Sequence, residues 1–124
     1  MRVIATKEIT FDSAHQLPGY DGLCANVHGH TYKLQVGVAC SDEALLEECG
    51  MVIDFTKLSE LLKGVKEQYD HQFINAFMAN PTAENMACNI FFEIRAAILA
   101  HFPKRELVSV KLWETPTSFV EVTA

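Results

Sequence analysis

The feature that most constrains the fold is a change in hydrophobic period along the chain, from two residues to about 3.6 and back to two. Alternating apolar and polar side chains predict β-strands in four places, at residues 3–15, 28–40, 108–114 and 118–122. Between the second and third strands, the apolar residues instead repeat with the period of an α-helix. A chain with this order of periods has to combine a sheet with helices.

Two amphipathic helices are predicted in the middle stretch. The first repeats its apolar side chains over residues 58–69, behind Asp54 or Thr56 as the candidate N-cap. The second carries its apolar stripe over residues 83–98, and Thr82 can cap its first turn. The predicted order of elements is therefore ββααββ.

Length and composition favour a globular protein that binds a small molecule. With 124 residues, of which 49% are hydrophobic, the chain can build a sizeable core. We expect one α+β domain over residues 1–124, with mainly antiparallel strands and no linker or repeat. The formal charge of −6 and the lack of a basic run argue against a nucleic-acid partner.

The N-terminus and the cysteines indicate a cytoplasmic protein. The first residues lack the basic and apolar regions of a signal peptide, and no segment approaches the ~18 apolar residues of a membrane span. The cysteines form no CxxC pair, so we expect free thiols. Cys40 and Cys88 lie in apolar elements and are predicted to be buried and inert, whereas Cys49 has no assigned role.

Three histidines form a candidate metal site. His28 and His30 in the sequence HGH start the apolar face of the second strand, and alternate strand residues about 6.6 Å apart point the same way. His15 continues the apolar face of the first strand and can add a third imidazole across the strand pair. Two strand-end histidines bonded to main chain are the simpler alternative. Three imidazoles with an open position are typical of catalytic zinc.

Cys24 leaves the kind of metal site undecided. Its thiolate, four residues before His28, could complete a closed structural zinc site. Alternatively, it could lie near the metal as a base or nucleophile with a lowered pKa. The spacing alone fits both interpretations.

Two further groups of residues are candidates for function. Asp70 and His71 follow the first helix, where a histidine can also simply compensate the helix dipole. Glu114 shares its parity with apolar residues of the third strand and has no basic partner nearby in sequence. A ligand with a guanidine-like edge would satisfy this carboxylate through two hydrogen bonds, and a strand-end side chain reaching solvent is the alternative.

Together these residues resemble one family. The segments FDSAH, CANVHGHTY, GMVIDF, YDHQFIN, NPTAEN and WETPTS, in this order, resemble the 6-pyruvoyltetrahydropterin synthase family. Within it, the CxxxHGH spacing is similar to the bacterial branch of 6-carboxy-5,6,7,8-tetrahydropterin synthases of the queuosine pathway. The resemblance covers essentially the whole chain, and Gln16 departs from it where many relatives have arginine.

The resemblance implies a fold and a set of roles. The family fold, the tunnelling or T-fold, is a four-stranded antiparallel sheet with two helices on one face, and its subunits commonly form hexamers of two trimers with sites between subunits. Zn²⁺ would be bound by His15, His28 and His30, and Glu114 would anchor the pterin. Cys24 would be the catalytic thiol, assisted by the pair Asp70 and His71.

The activity implied is a zinc-dependent carbon-carbon lyase that acts on 7,8-dihydroneopterin triphosphate. Two alternatives stay open at this point. The first is another enzyme on the same substrate, either a 6-pyruvoyltetrahydropterin synthase or a dihydroneopterin-aldolase-like enzyme. The second is a pterin- or metal-binding module without turnover, which the presence of Cys24, Asp70 and His71 argues against.

Overall fold

The computed structural model describes residues 1–42 and 50–124, which form a five-stranded sheet and two long helices. The strands are β1 Val3–His15, β2 His28–Cys40, β3 Gln72–Phe73, β4 Arg105–Thr115 and β5 Ser118–Thr123. Their order in the sheet is β3-β1-β2-β4-β5. All neighbours are antiparallel except β1 and β3.

The long strands β1 and β2 are paired along their whole length. The register runs from Val3 opposite Cys40 to His15 opposite His28 without interruption. Phe11 and Leu34, on the parity that the sequence predicted to face inward, are buried. The alternating pattern thus fixes this register, because a slip of one residue would turn every apolar side chain to solvent.

Two helices cover this buried face of the sheet. Helix α1 spans Phe55–Tyr69 and helix α2 spans Ala83–His101. Their apolar stripes join the inward side chains of β1, β2 and β4 in one core. The predicted caps are confirmed, because Asp54 accepts a hydrogen bond from the Thr56 N–H and Thr82 accepts one from the Asn85 N–H.

A β-bulge in β4 changes which side chain is buried there. Gly37 pairs with Ser109 and Val38 with Leu107, so Val108 is the extra residue between them. Leu107 is buried, and Val108 is only half-buried. The extra residue shifts the alternation by one position, so that Leu107 takes the buried place opposite Val38.

The short strand β3 adds a fifth strand to the expected four. Its two residues pair in parallel with Ser13 and Ala14 at the edge of β1. A run of two residues has too few side chains to show an alternation, which explains why the hydrophobic pattern did not reveal it.

The cysteines lie in different environments. Cys24, Cys40 and Cys88 are free thiols, as expected, and Cys49 lies outside the described residues. Cys40 is half-buried, but Cys88 is exposed, so its predicted burial is wrong. Residue 88 lies on α2 beside the buried Ala87 but off the apolar stripe. Among the described residues, no helix is both long and apolar enough to cross a membrane.

Candidate active site

The candidate site lies at one end of the sheet, where β1 finishes and β2 begins. The register places His15 directly opposite His28, and His30 follows two residues later on the same side of β2. Ligand atoms of His15, His28, His30 and Glu114 all lie within 4.8 Å of one another. The prediction that the three histidines come together is therefore confirmed by their geometry.

The rings of His15 and His28 are oriented by main-chain carbonyls. Nδ1 of His15 lies 2.7 Å from the carbonyl oxygen of Pro81, and Nδ1 of His28 lies 2.7 Å from that of Asn26. A carbonyl only accepts hydrogen bonds, so each Nδ1 must carry the hydrogen. In the neutral rings, both Nε2 atoms therefore present lone pairs, as in metal-binding histidines.

These two lone pairs face each other. His15 Nε2 and His28 Nε2 are 3.0 Å apart, a separation at which two unprotonated nitrogens repel. A cation between them, either a proton on one ring or a metal ion, would remove this repulsion. Ligands of a tetrahedral metal with bonds near 2.05 Å are about 3.3 Å apart, so the spacing fits such a metal.

His30 supplies the third nitrogen. Its Nε2 is buried and has no hydrogen bond among the described residues, although the Glu114 carboxylate lies 3.0 Å away in an off-line direction. Burial lowers the pKa of His30, which favours the neutral ring that a metal needs. A buried nitrogen without a hydrogen bond, within 4.8 Å of the other ligand atoms, fits a metal ligand.

Glu114 lies near the end of β4, at a second β-bulge. Trp113 pairs with Phe119 and Thr115 with Ser118, which leaves Glu114 as the extra residue on β4. Its carboxylate oxygen lies 3.0 Å from His30 Nε2 and 3.6 Å from His15 Nε2. The partners that sequence reasoning did not find for this carboxylate are thus two histidines that are distant along the chain.

The pair formed by His15 and Glu114 is electrostatically coupled. A hydrogen bond from His15 lowers the pKa of Glu114 and outweighs the effect of burial. Burial lowers the pKa of His15, but hydrogen bonds to Glu114 and to the Pro81 carbonyl raise it overall above its ordinary value. Without a metal, the arrangement therefore favours a protonated His15 beside an ionised Glu114.

Tyr32 packs against the rings of His15 and His30. It is fully buried, and its ring lies 5.4 Å from the His30 ring and 6.1 Å from the His15 ring, centroid to centroid. Burial raises the pKa of its hydroxyl, so the phenol stays neutral. The Tyr32 ring packs against both imidazoles, and its hydroxyl lies 3.3 Å from His15 Nδ1.

Asp70 and His71 form a sharp corner between α1 and β3. The His71 backbone has a φ of 57°, and its N–H donates to the Asp12 carbonyl at 2.6 Å. The Asp12 N–H in turn donates to Asp70 Oδ1 at 2.9 Å. Asp70 Oδ2 lies 3.6 Å from His71 Nε2, so the carboxylate can orient the imidazole.

A cleft of about 540 Å³ borders this corner and is also lined by His30. His30 lines one part of the cleft, and His71 and Phe73 line another. His71 lies one residue beyond the C-cap of α1, Asp70, and its largely exposed side chain is one of those that line the cleft.

A second cleft of about 490 Å³ is also lined by His30. Glu114 and Thr115 line it together with Lys33 and Trp113. The Lys33 ammonium lies 4.1 Å from the centre of the Trp113 ring, a cation–π contact. This cleft has the room and the aromatic surface for a planar heterocycle.

Cys24 lies in the segment between β1 and β2, in the short 3₁₀ helix Leu23–Ala25. The residue is half-buried, and its carbonyl accepts a hydrogen bond of 2.9 Å from the Leu17 N–H. Its thiol is not part of the histidine group, whose fourth donor is Glu114.

Some residues that shape the site carried no functional signal in the sequence. Pro81 and Asn26 act through main-chain carbonyls, which every residue has. Asn75 acts through a side chain that holds the backbone of Gln16. Only the position of Pro81 inside the segment NPTAEN could have drawn attention to it.

Comparison with known proteins places the chain in a family. The family described as 6-pyruvoyl tetrahydropterin synthase matches residues 4–124. The chain is 36% identical to 6-carboxy-5,6,7,8-tetrahydropterin synthase of Haemophilus influenzae, over 94% of this chain and 95% of that one. It is 38% identical to the protein of the same name from Synechocystis, over 93% of this chain and 88% of that one.

The solved structures share the fold. The 6-pyruvoyl tetrahydropterin synthase of Caenorhabditis elegans superimposes with a TM-score of 0.81 at 23% identity, covering 100% of this chain and 96% of that one. At this identity the likeness concerns the fold alone, and it confirms the expected T-fold. With the family match over nearly its whole length and relatives above 30% identity, the chain belongs to the 6-pyruvoyl tetrahydropterin synthase family.

Proposed function

We propose that the chain is a zinc-dependent 6-carboxy-5,6,7,8-tetrahydropterin synthase. The reaction converts 7,8-dihydroneopterin triphosphate and water to 6-carboxytetrahydropterin, acetaldehyde and triphosphate. Metal dependence is supported by the 3.0 Å contact between the Nε2 atoms of His15 and His28. The Nδ1 atom of each ring donates a hydrogen bond to a main-chain carbonyl, so both Nε2 atoms are available to a metal. The carboxy product is supported by the names of the relatives at 36% and 38% identity.

The three histidines would hold the zinc. Their nitrogens converge, two of them are fixed as Nε2 donors, and burial favours the neutral form of His30. A bound Zn²⁺ would act as a Lewis acid that makes negative charge on the substrate side chain less costly. Neutral nitrogen donors leave the positive charge of the ion largely intact for this purpose.

Glu114 would bind the pterin. Its carboxylate borders the cleft of about 490 Å³, where the Trp113 ring offers an apolar surface. The 2-amino-pyrimidinone edge of a pterin presents two N–H donors that match the two oxygens of a carboxylate. Binding there would place the substrate side chain next to His30, which lines the same cleft.

Cys24 and the pair of Asp70 and His71 would move protons. Cys24 as a thiolate would take the first proton from the substrate side chain. His71 would carry the second transfer, since its ring is exposed to the cleft of about 540 Å³. Asp70, held by the Asp12 N–H, would keep the imidazole in one tautomer.

The cellular setting follows from the same proposal. We expect a cytoplasmic enzyme of queuosine biosynthesis that works as a homo-oligomer, a hexamer of two trimers. The short strand β3 and strand β5 form the edges of the sheet. Pairing between subunits would cover these open edges.

Incubation of the zinc-loaded protein with 7,8-dihydroneopterin triphosphate tests the proposal. Mass analysis should find 6-carboxytetrahydropterin and acetaldehyde in equal amounts, and the Cys24→Ala variant is the matched control. A pyruvoyl pterin without acetaldehyde would assign the 6-pyruvoyl activity instead. Tight pterin binding without any product would favour a binding module.

A further inference from the structure

Asn75 makes two hydrogen bonds to the main chain of one residue. Its Oδ1 accepts from the Gln16 N–H at 2.9 Å, and its Nδ2 donates to the Gln16 carbonyl at 2.8 Å. Both contacts are partly buried, and they join segments 59 residues apart. A side-chain amide that satisfies both polar groups of one residue imitates a neighbouring strand.

This contact continues the pairing of β1 with β3. Ser13 pairs with Gln72 and Ala14 with Phe73, so Gln16 and Asn75 are the next residues in the same alternation. After Phe73 the chain turns into a short 3₁₀ helix, Ile74–Ala76, and its backbone leaves the sheet. The side-chain amide of Asn75 therefore makes the hydrogen bonds to Gln16 that the backbone of a longer β3 would have made.

The two peptide groups held by Asn75 belong to two parts of the site. The Gln16 N–H is part of the peptide that joins it to His15, a proposed zinc ligand. The Gln16 carbonyl is part of the peptide that joins it to Leu17, and the Leu17 N–H donates to the Cys24 carbonyl at 2.9 Å. Because a peptide group is planar and rigid, fixing its carbonyl also fixes the direction of its N–H.

On its other side, Asn75 follows the corner that carries the catalytic pair. Three residues separate His71 from Asn75, and β3 lies between them, paired with β1. His71 is independently held by the Asp12 carbonyl. A change at Asn75 would therefore leave the corner in place and release mainly the segment that leads to Cys24.

We propose that Asn75 is a positioning residue that couples the segment carrying Cys24 to the corner carrying Asp70 and His71. The proposal rests on the proposed function for the roles of these three residues. The contacts themselves depend only on the structure. The Asn75 amide holds the peptide group between Gln16 and Leu17, and the N–H of this peptide group donates to the Cys24 carbonyl. Asn75 acts through the main chain and does not touch the substrate.

Two substitutions of Asn75 remove its bridge to Gln16, which consists of the two hydrogen bonds to the Gln16 main chain. Asn75→Ala removes both hydrogen bonds. Asn75→Asp keeps an acceptor for the Gln16 N–H but turns an oxygen toward the Gln16 carbonyl, so it breaks only the half of the bridge that leads to Cys24. Ser59→Ala is the control, because it removes a 2.8 Å hydrogen bond from a side chain to main chain within α1.

Two measurements are made on each zinc-loaded variant. In steady-state turnover, both Asn75 variants should lose about 10- to 100-fold in kcat, the range that follows a small misplacement of a reacting group. KM should stay within about threefold, because the pterin contact is not altered. In peptide-mapped alkylation by iodoacetamide, the rate at Cys24 relative to exposed Cys88 should change at least about threefold, because a turn that has lost its bridge opens more often.

The outcomes separate the proposal from its alternatives. If kcat and the alkylation ratio in both Asn75 variants match those of Ser59→Ala, Asn75 does not position Cys24 and the proposal is wrong. A loss of kcat matched by an equal loss of bound zinc would assign Asn75 to holding His15, which also overturns it. If the wild-type protein forms no acetaldehyde, the proposed function fails, and the alkylation ratio still decides whether Asn75 holds Cys24.

Discussion

His15 and His28 face each other across the β1–β2 pair with their Nε2 atoms 3.0 Å apart, while each Nδ1 donates to a main-chain carbonyl. Neither ring can turn its N–H toward the other without losing a carbonyl partner. The strand register and two carbonyls thus hold a contact that is unfavourable without a cation. The first two predictions follow from it.

The protein should bind one zinc ion per chain, and His28→Ala should remove most of this binding. Loss of an outer partner of a metal ligand typically costs about 10- to 100-fold in affinity, so loss of a ligand should cost more. Metal analysis after dialysis measures the content, with His101→Ala at the end of α2 as the control. Unchanged affinity in His28→Ala would remove His28 from the ligand set.

The interaction between His15 and Glu114 should stabilise the metal-free protein most in mildly acid solution. The pKa of His15 is raised above 6.5, so its contribution is complete below that pH and is lost as the pH rises through the raised value. The pKa of Glu114 is lowered below 4.5, so its contribution is complete above that pH and is lost on acidification through the lowered value. The difference in Tm between chelator-treated wild type and Glu114→Gln should therefore be largest between pH 4.5 and 6.5. A difference that grows toward pH 8 would contradict the coupling.

Cys24→Ala should keep the zinc and lose at least ~10²-fold in turnover, the lower range for a positioned acid or base. The reason is that the Cys24 thiol lies outside the histidine group, which has Glu114 as its fourth donor. Metal analysis and product formation are measured on the same preparation, with Cys88→Ala as the control. Loss of zinc from Cys24→Ala alone would make Cys24 a metal ligand.

Glu114→Gln should weaken the binding of a non-reactive pterin such as sepiapterin or neopterin by roughly 2 to 4 kcal/mol. The amide presents an N–H where the pterin needs an acceptor, and a hydrogen bond to a charged group is worth ~1.5 to 3 kcal/mol. Calorimetric titration of the zinc-loaded proteins measures this difference. Equal affinities within about threefold, ~0.65 kcal/mol, would show that Glu114 is not the pterin anchor.

The zinc content of the Glu114→Gln variant distinguishes a role of Glu114 in metal binding from a role in pterin binding. The carboxylate lies 3.0 Å from His30 Nε2, so it could serve as a fourth metal donor as well as a pterin acceptor. We expect the zinc content to stay unchanged, because three imidazoles suffice for a catalytic zinc site. A large loss of zinc would instead assign Glu114 to the metal.

The sequence predicted those features that repeat along the chain. The period of two on β1 and β2 placed the histidines on one face, and Asp54 and Thr82 marked the starts of both helices. Burial of Cys88 was predicted from the apolar character of its helix, but burial depends on the angle around the helix axis, and this position points outward.

The sequence did not predict features that depend on one extra residue in a strand or on a main-chain group. The bulges at Val108 and Glu114 each insert one residue, which alternation cannot register before the partner strand is known. The Pro81 carbonyl orients His15 from 66 residues away, and a carbonyl has no sequence signature. The roles proposed for Cys24, Asp70 and His71 rest on the family resemblance, because spacing alone left them open.

The left-handed backbone at His71 restricts which residues can replace it during evolution. At a φ of 57°, glycine, asparagine, aspartate and histidine are tolerated far better than β-branched residues. Of these four, only histidine can carry a proton on an imidazole near neutral pH. A descendant that had lost the imidazole but kept this backbone conformation would therefore carry glycine, asparagine or aspartate at position 71, and a valine or isoleucine there would indicate a different backbone conformation at this corner.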